Sequence, residues 1–216
     1  MAKCAISLWS ADLSRLKDQI ALVEKYADYF HIDVGDGHYI PTLLFFPDLV
    51  KAVRPHTKVP FEVHLMTRET EKFVEPFIEA GADAIDIHLD ACKDGEAVLK
   101  TIKAAGKQAG VVLAPDDDIN ALVPLLEKHL VDIVVCLGTK PGVKGKDLTD
   151  VAFTRIRNVK DLLIRQGAGA TLLEADGGIR KHTVERIVSS GADMLVPGSL
   201  AFNEEGPETL PWLHTL

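Results

Sequence analysis

The chain alternates short apolar runs with amphipathic stretches from one end to the other, and this alternation restricts the folds open to it. Several runs are short and rich in β-branched residues, as buried strands of parallel sheets are. At least six of the stretches between them have clear helical periodicity. The eight predicted strands cover residues 4–9, 29–34, 60–66, 84–89, 109–114, 132–138, 171–176 and 194–199.

A weak internal repeat supports a closed barrel rather than an open sheet. The repeat is a small or apolar residue, an aspartate and an apolar strand, and it recurs at about every second strand-helix unit, at Asp28, Asp83, Asp132 and Asp193. The eight units average 27 residues over the 216-residue chain, which suits a compact (β/α)8 TIM barrel. No linker or low-complexity stretch interrupts the pattern, so residues 1–216 are predicted to form a single domain.

Composition narrows the functional classes. The chain is 47% hydrophobic with a formal net charge of −8 and no basic stripe, which argues against nucleic acid as a partner. It has no apolar run of about 18 residues, which argues against a membrane span, and we expect a cytoplasmic protein. Three cysteines without CxxC spacing do not indicate a disulfide framework, and Cys4 and Cys136 are interpreted as small buried hydrophobes.

Four polar residues interrupt predicted strands 2, 3 and 7: His31 and Asp33 in FHIDVGDGH, His64 in FEVHLM and Asp176 in LLEADGG. Side chains two apart on a strand point the same way, and the carboxyl ends of barrel strands form active sites. Burying unpaired charge is expensive. We therefore predict that these four residues, called the quartet below, bind one divalent ion, for which Zn, Mn, Fe(II) and Co are all suitable.

Three further polar residues lie on the predicted strands, and two interpretations of each stay open. Glu62 lies on the face of His64 and Glu174 on the face of Asp176. Both are interpreted either as acceptors that orient ligating imidazoles or as parts of a salt bridge in mid-barrel. His88, at the end of predicted strand 4, is either a pocket residue or a core histidine.

Glycine-rich loops after predicted strands 6, 7 and 8 indicate a phosphate site. They read GTKPGVKGKD, DGGIRKHT and PGSLAF, and such loops let backbone amides approach an anion. The predicted contacts are Gly142, Gly145, Gly177, Gly178, Gly198 and Ser199.

A metal, two carboxylates and a phosphate site together indicate proton transfer on a ketose phosphate. A metal can chelate the carbonyl and adjacent hydroxyl of a ketose and stabilise an enediolate. Inversion requires one group to remove the carbon-bound proton and another to return it on the opposite face. Asp33 and Asp176, on different predicted strands, are the predicted catalytic pair.

Over nearly its whole length the chain resembles the ribulose-phosphate 3-epimerase family, through SLWSADLSRL, HIDVGDGHYIP, VHLM, AGADAIDIH, PGVKG, EADGGI and GADMLVPGS. The resemblance implies reversible inversion at C3 of a ketopentose 5-phosphate. It implies that the quartet ligates the metal and that Asp33 and Asp176 also form the acid/base pair. It further implies that Ser7 contacts substrate and that Met66 belongs to an apolar cap beside the enediolate. We also expect His64 and Asp176 to contact substrate.

Several residues depart from the family pattern. The family usually has Met at Gly35 and Asn at Thr42, and its loop MTVxPGFGGQ reads LGTKPGVKGKD here, with Leu137, Gly138 and Val143 replacing Met, Thr and Phe. The quartet is intact, so the chemistry is expected to be retained. Loss of the Met side chain at Gly35 predicts extra space near the reacting carbons. Besides ribulose 5-phosphate and xylulose 5-phosphate, another pentulose, tetrulose or hexulose phosphate is therefore a candidate substrate.

Two other functional classes remain as alternatives. A phosphate-binding lyase typically needs a lysine in the strand-2 cluster, but HIDVGDGH has none and Lys140 lies in a loop. A non-catalytic sugar-phosphate-binding barrel would be favoured by a lost ligand, and none is lost.

We also expect a homo-oligomer, with Trp9 and the apolar stretch 43–47 as candidate interface residues. Packing of 43–47 over the site is an equal alternative.

Overall fold

The computed structural model describes residues 1–216 and forms a closed, eight-stranded parallel barrel. Strand β1 pairs with both β2 and β8, which closes the sheet and confirms the predicted TIM barrel. A two-residue strand, Leu43–Leu44, pairs antiparallel with the end of β2. The barrel strands are β1 (Lys3–Ser7), β2 (Tyr29–Asp36), β3 (Phe61–Met66), β4 (Ala84–His88), β5 (Gln108–Leu113), β6 (Ile133–Leu137), β7 (Leu172–Asp176) and β8 (Met194–Val196).

Helices cover the outside of the barrel and pack on the strands through a continuous apolar layer. They are α1 (Leu16–Val23), α2 (Pro47–Val53), α3 (Glu71–Ala80), α4 (Gly95–Ala104), α5 (Val123–Glu127), α6 (Asp150–Arg165), α7 (Val184–Ser189), α8 (Ser199–Phe202) and α9 (Gly206–Leu213). Strand β8 is shorter than predicted because the chain leaves the sheet at Pro197 and Gly198 to begin α8. None of these helices has both the length and the apolar character needed to span a membrane.

The repeated aspartates have a structural role at the amino-terminal end of the barrel. Each donates its backbone amide to the carbonyl of the residue that begins, or nearly begins, the preceding odd-numbered strand. Its carboxylate accepts the amide of that same residue at 2.8–2.9 Å. The four pairs are Asp28 with Cys4, Asp83 with Phe61, Asp132 with Ala109 and Asp193 with Leu173. These four aspartates are called the base ring below. Each one precedes an even-numbered strand and joins it to the odd-numbered strand before it, which explains why the sequence repeat has a period of two strand-helix units.

The barrel interior is divided between an apolar part and a polar part. Side chains of β5, β6 and β8 make much of a small apolar cluster, which includes Val112, Val135 and Val196. Strands β2, β3, β4 and β7 instead carry buried histidines and carboxylates at alternate positions. Cys4 and Cys136 are buried and unpaired, as predicted.

Candidate metal centre and active site

The quartet converges at the carboxyl end of the barrel, with one donor atom of each side chain within 4.8 Å of the others. Asp33 Oδ1 lies 3.4 Å from His31 Nε2 and 3.4 Å from His64 Nδ1. Asp176 Oδ2 lies 4.0 Å and 3.9 Å from the same two nitrogens. Four ligands placed about 2.1 Å from one ion in a tetrahedral arrangement lie roughly 3.4 Å apart. The spacing therefore fits a divalent ion with little rearrangement.

The two imidazole nitrogens that face this centre have no hydrogen-bond partner. His31 Nε2 and His64 Nδ1 are both buried and unsatisfied, which is rare for polar atoms in a folded interior. Mixed imidazole and carboxylate donors are suitable for borderline divalent metals. The quartet is thus compatible with a divalent metal ion.

The other nitrogen of each imidazole is held in place by a neighbouring side chain. His31 Nδ1 lies 3.0 Å from Glu62 Oε2 and 3.4 Å from Glu174 Oε1, and His64 Nε2 lies 2.9 Å from His88 Nε2. Of the two interpretations of the glutamates, the geometry favours acceptors that orient an imidazole. His88 does not line the cavity above the quartet, so its interpretation as a pocket residue is wrong; it supports His64 instead.

Ser7 supports Asp33 from β1. Its hydroxyl donates to Asp33 Oδ2 at 2.9 Å, which leaves Asp33 Oδ1 facing the two imidazoles. The predicted substrate contact of Ser7 is therefore accompanied by a second contact, to the carboxylate itself.

The two quartet carboxylates have different electrostatic environments. Burial acts to raise the pKa of Asp33, but the adjacent His31 and His64 outweigh it and hold the pKa below its usual range. Burial raises the pKa of Asp176 to about 6, with His31 acting against the rise and Asp33 adding to it. Burial lowers the pKa of His64 despite Asp33, which favours the neutral imidazole that a metal requires.

Asp86 on β4 belongs to the same polar interior and was missed by sequence reasoning. It is fully buried with both carboxylate oxygens unpartnered, and burial, followed by the charge of Glu62, raises its pKa well above the usual value. Gly110 on β5 makes room for it, since a Cβ there would overlap the Asp86 carboxylate. The signal was present in AIDIH, where Asp86 and His88 stand two residues apart.

A cavity of about 310 Å³ opens above the quartet, and all ten predicted substrate-binding residues lie in its wall. They are Ser7, His64, Met66, Gly142, Gly145, Asp176, Gly177, Gly178, Gly198 and Ser199. Gly177 and Gly178 both have positive φ, which a side chain would strain. The amides of Gly178 and Gly198 donate no hydrogen bond within the chain, so they are available to an anion.

Sequence reasoning missed the cations of this cavity wall and did not assign Trp9 to it. Lys140, Lys144, Lys146 and Arg180 all line the cavity, and Arg180 Nη1 lies 3.5 Å from Ser199 Oγ. Trp9 is half-buried and lines the cavity, and its predicted place at a subunit interface stays a prediction. In the stretch 43–47, Leu43 and Phe46 are exposed and do not line the cavity, so packing over the site is wrong and the interface prediction stays a prediction.

The expected space beside Gly35 is absent. A Cβ at Gly35 would lie 2.5 Å from the carbonyl oxygen of Thr42 and 2.7 Å from Ile40 Cδ1. Ile40 is itself buried, and Gly35 does not line the cavity. The prediction that Gly35 widens the pocket is therefore wrong, because Ile40 and the Thr42 backbone fill the position.

Comparisons with known proteins agree on the family. Residues 3–202 match the model of the "Ribulose-phosphate 3 epimerase family". The ribulose-phosphate 3-epimerase of Bacillus subtilis is 36% identical over 94% of this chain and 94% of its own, and that of Synechocystis is 35% identical over 92% and 86%. The chain belongs to the ribulose-phosphate 3-epimerase family. It is accordingly an isomerase, a sugar-phosphate 3-epimerase, and its substrate is a sugar phosphate.

Solved structures with low sequence identity show the same fold. The 3-keto-L-gulonate-6-phosphate decarboxylase of Vibrio cholerae superposes with a TM-score of 0.71 at 16% identity, covering 99% of this chain and 95% of its own. A tryptophan synthase α-subunit from Pyrococcus furiosus superposes with a TM-score of 0.67 at 15% identity, covering 99% and 94%. At these identities the likeness concerns the barrel and not the reaction.

Proposed function

We propose that this epimerase interconverts ribulose 5-phosphate and xylulose 5-phosphate by inverting C3 through an enediolate, with Asp33 and Asp176 as the acid/base pair. The observation that carries the proposal is the convergence of these two carboxylates, from β2 and β7, at one centre with two unsatisfied imidazole nitrogens. Inversion needs two proton-transfer groups rather than one, and the site holds two carboxylates that the cavity reaches.

The quartet would hold one divalent ion, with Zn, Mn, Fe(II) and Co as the candidates. Such an ion supplies Lewis acidity, which polarises the ketose carbonyl and stabilises negative charge on the two substrate oxygens. Glu62 and Glu174 fix the ring of His31, and His88 fixes the ring of His64, so that the free nitrogens remain aimed at the centre.

The aspartates would transfer the proton on opposite faces of the enediolate. One carboxylate accepts the C3 proton while the other donates a proton to the opposite face, and the roles are exchanged in the reverse direction. The Ser7 hydroxyl holds Asp33 Oδ2, which restricts rotation of this carboxylate during the transfer. Met66, buried at the cavity wall, excludes water from the reacting carbons.

The substrate phosphate would bind on the β7 and β8 side of the cavity. The free amides of Gly178 and Gly198 and the guanidinium of Arg180 lie there together with Ser199. Gly142, Gly145 and Gly177 complete this predicted set of contacts. The combination of amides and one guanidinium suits a phosphate dianion.

A different pentulose, tetrulose or hexulose phosphate is the second candidate substrate. It is supported by the replacements in the cavity wall, where Leu137 and Val143 stand at positions usually occupied by Met and Phe in the family. A lyase or a non-catalytic binding barrel is disfavoured, because no lysine accompanies the β2 cluster and the quartet is complete.

The test is a panel of ketose phosphates incubated in D2O with the enzyme reconstituted separately with each candidate metal. We expect ribulose 5-phosphate to be epimerised fastest, with solvent deuterium appearing at C3. A clear preference for another ketose phosphate would move the assignment to the second candidate, and an absence of C3 exchange would contradict the proposed chemistry. Light scattering on the same preparation tests the proposed homo-oligomer.

A further inference from the structure

The loop that follows β6 reaches across the mouth of the barrel. Residues 138–149, called the mouth loop, form no helix or strand, and most of their side chains are exposed. Both ends of the loop contact the β7 side of the barrel. The Gly138 N–H donates to the carbonyl of Asp176 at 2.7 Å, and Asp147 Oδ1 lies 3.6 Å from His182 Nε2. Its middle part is held on the far side of the cavity, by different contacts.

Two contacts hold the middle of the mouth loop against the β1 and β2 side. Gly142 packs closely on Ile40, since a Cβ at Gly142 would lie 2.9 Å from Ile40 Cβ. Lys144 Nζ donates to the backbone oxygen of Trp9 at 2.8 Å and stands 4.3 Å from the centroid of the Trp9 ring. The ammonium therefore makes a charge-assisted hydrogen bond and a cation–π contact with one residue.

We propose that Lys144 is a positioning residue that holds the mouth loop closed over the bound sugar phosphate through its contact with Trp9. Both residues line the cavity, so the contact joins the part of its wall that follows β1 to the part that follows β6. In GVKGK, Lys144 stands where the family pattern GFGGQ, to which this loop is similar, has a glycine, and a glycine could make neither contact with Trp9. A loop held in this way retains substrate and excludes water during proton transfer. The kinetic part of this inference rests on the proposed function, whereas the tether itself does not.

Tryptophan fluorescence tests the tether without any substrate. The chain has two tryptophans, Trp9 and Trp212, so a Trp212→Phe background makes Trp9 the only indole emitter. In this background Lys144→Met keeps the side-chain length but loses the charge and the hydrogen bond. We expect acrylamide quenching of Trp9 to rise several-fold in Lys144→Met and to stay at the parent value in Lys144→Arg.

Lys146→Met is the matched control for quenching, because Lys146 lies in the same loop and lines the same cavity but makes neither the hydrogen bond nor the cation–π contact with Trp9 that Lys144 makes. Parental quenching in Lys144→Met would overturn the tether. An equal rise in Lys146→Met would also overturn it, since general loss of loop charge would then explain the change.

Kinetics on the ketose phosphate that the enzyme accepts test the positioning role. Loss of the tether should raise KM on the order of fivefold, with kcat within about twofold of the parent, because the closed loop becomes less populated. Lys144→Arg should restore the parental KM. A raised KM with parental quenching would mean that Lys144 contacts substrate directly, and raised quenching with a parental KM would mean that the loop does not retain substrate; either result contradicts the proposal.

Discussion

Aspartates stand at both ends of this barrel, and their partners differ in a way that separates stability from chemistry. In the base ring each carboxylate accepts a backbone amide, and three of the four also contact a Lys or Arg within 3.1 Å. At the opposite end Asp33 and Asp176 face unsatisfied imidazole nitrogens and an open cavity. The base ring repeats with the fold, whereas the site carboxylates occur only on β2 and β7. Carboxylates whose hydrogen bonds are satisfied by the backbone thus join strands of the barrel. Carboxylates that converge on imidazole nitrogens without hydrogen-bond partners mark the site.

The largest expected effect is that of Asp176→Asn. A neutral amide cannot donate or accept the proton, so kcat should fall by about 10³-fold. Circular dichroism should show an unchanged fold. Asp132→Asn, the same substitution in the base ring, is the control and should retain the parental kcat; equal losses of kcat in both variants would erase the distinction between the two ends.

The next largest effect is that of His64→Ala on metal affinity. The substitution removes one of four ligands, so the affinity should fall by more than the roughly 10–100-fold typical of losing a partner behind a ligand. Metal content after dialysis, measured by plasma mass spectrometry, checks this expectation. One ion per chain at the parental affinity would exclude His64 as a ligand.

Glu62→Gln should have a smaller effect on the same quantity. The amide still accepts from His31 Nδ1 but is a weaker acceptor than a carboxylate, so the imidazole becomes a poorer donor to the metal, and Glu174 remains nearby. We expect metal affinity to fall about tenfold. Metal titration measures this affinity. If Glu62→Gln bound metal as tightly as the parent, Glu62 would serve only to fill the barrel interior.

The smallest effect is that of Asp132→Asn on stability. The substitution weakens the bond from the Ala109 amide and removes the ion pair with Lys103 at 2.6 Å. The free energy of unfolding should fall by about 1 kcal/mol, which lowers the melting temperature by about 2–4 °C in a chain of this length. If calorimetry finds an unchanged melting temperature, the base ring contributes less to the free energy of unfolding than the regularity of its contacts indicates.

The strands and the quartet were predictable because they rest on local rules. Alternation along β2 places His31 and Asp33 on one face, and closure of the barrel brings His64 and Asp176 to the same end. The base-ring aspartates were recognised as a repeat, although their paired backbone bonds were not foreseen.

What could not be predicted depends on side chains that meet only in the folded chain. The space expected at Gly35 is filled by Ile40, which comes from the loop after β2. The contact of Trp9 with Lys144 joins the turn after β1 to the mouth loop, more than a hundred residues further along the sequence. Asp86 differs from these, since the two-residue spacing to His88 was visible in the sequence.

Deuterium exchange at C3 in the two aspartate variants tests the central claim most directly. In D2O each variant keeps one carboxylate, which can still exchange the C3 proton on its own face of the sugar. Asp176→Asn should introduce deuterium into one epimer without epimerisation, and Asp33→Asn should do so with the other epimer. Exchange into both epimers by either variant would contradict the assignment of one aspartate to each face.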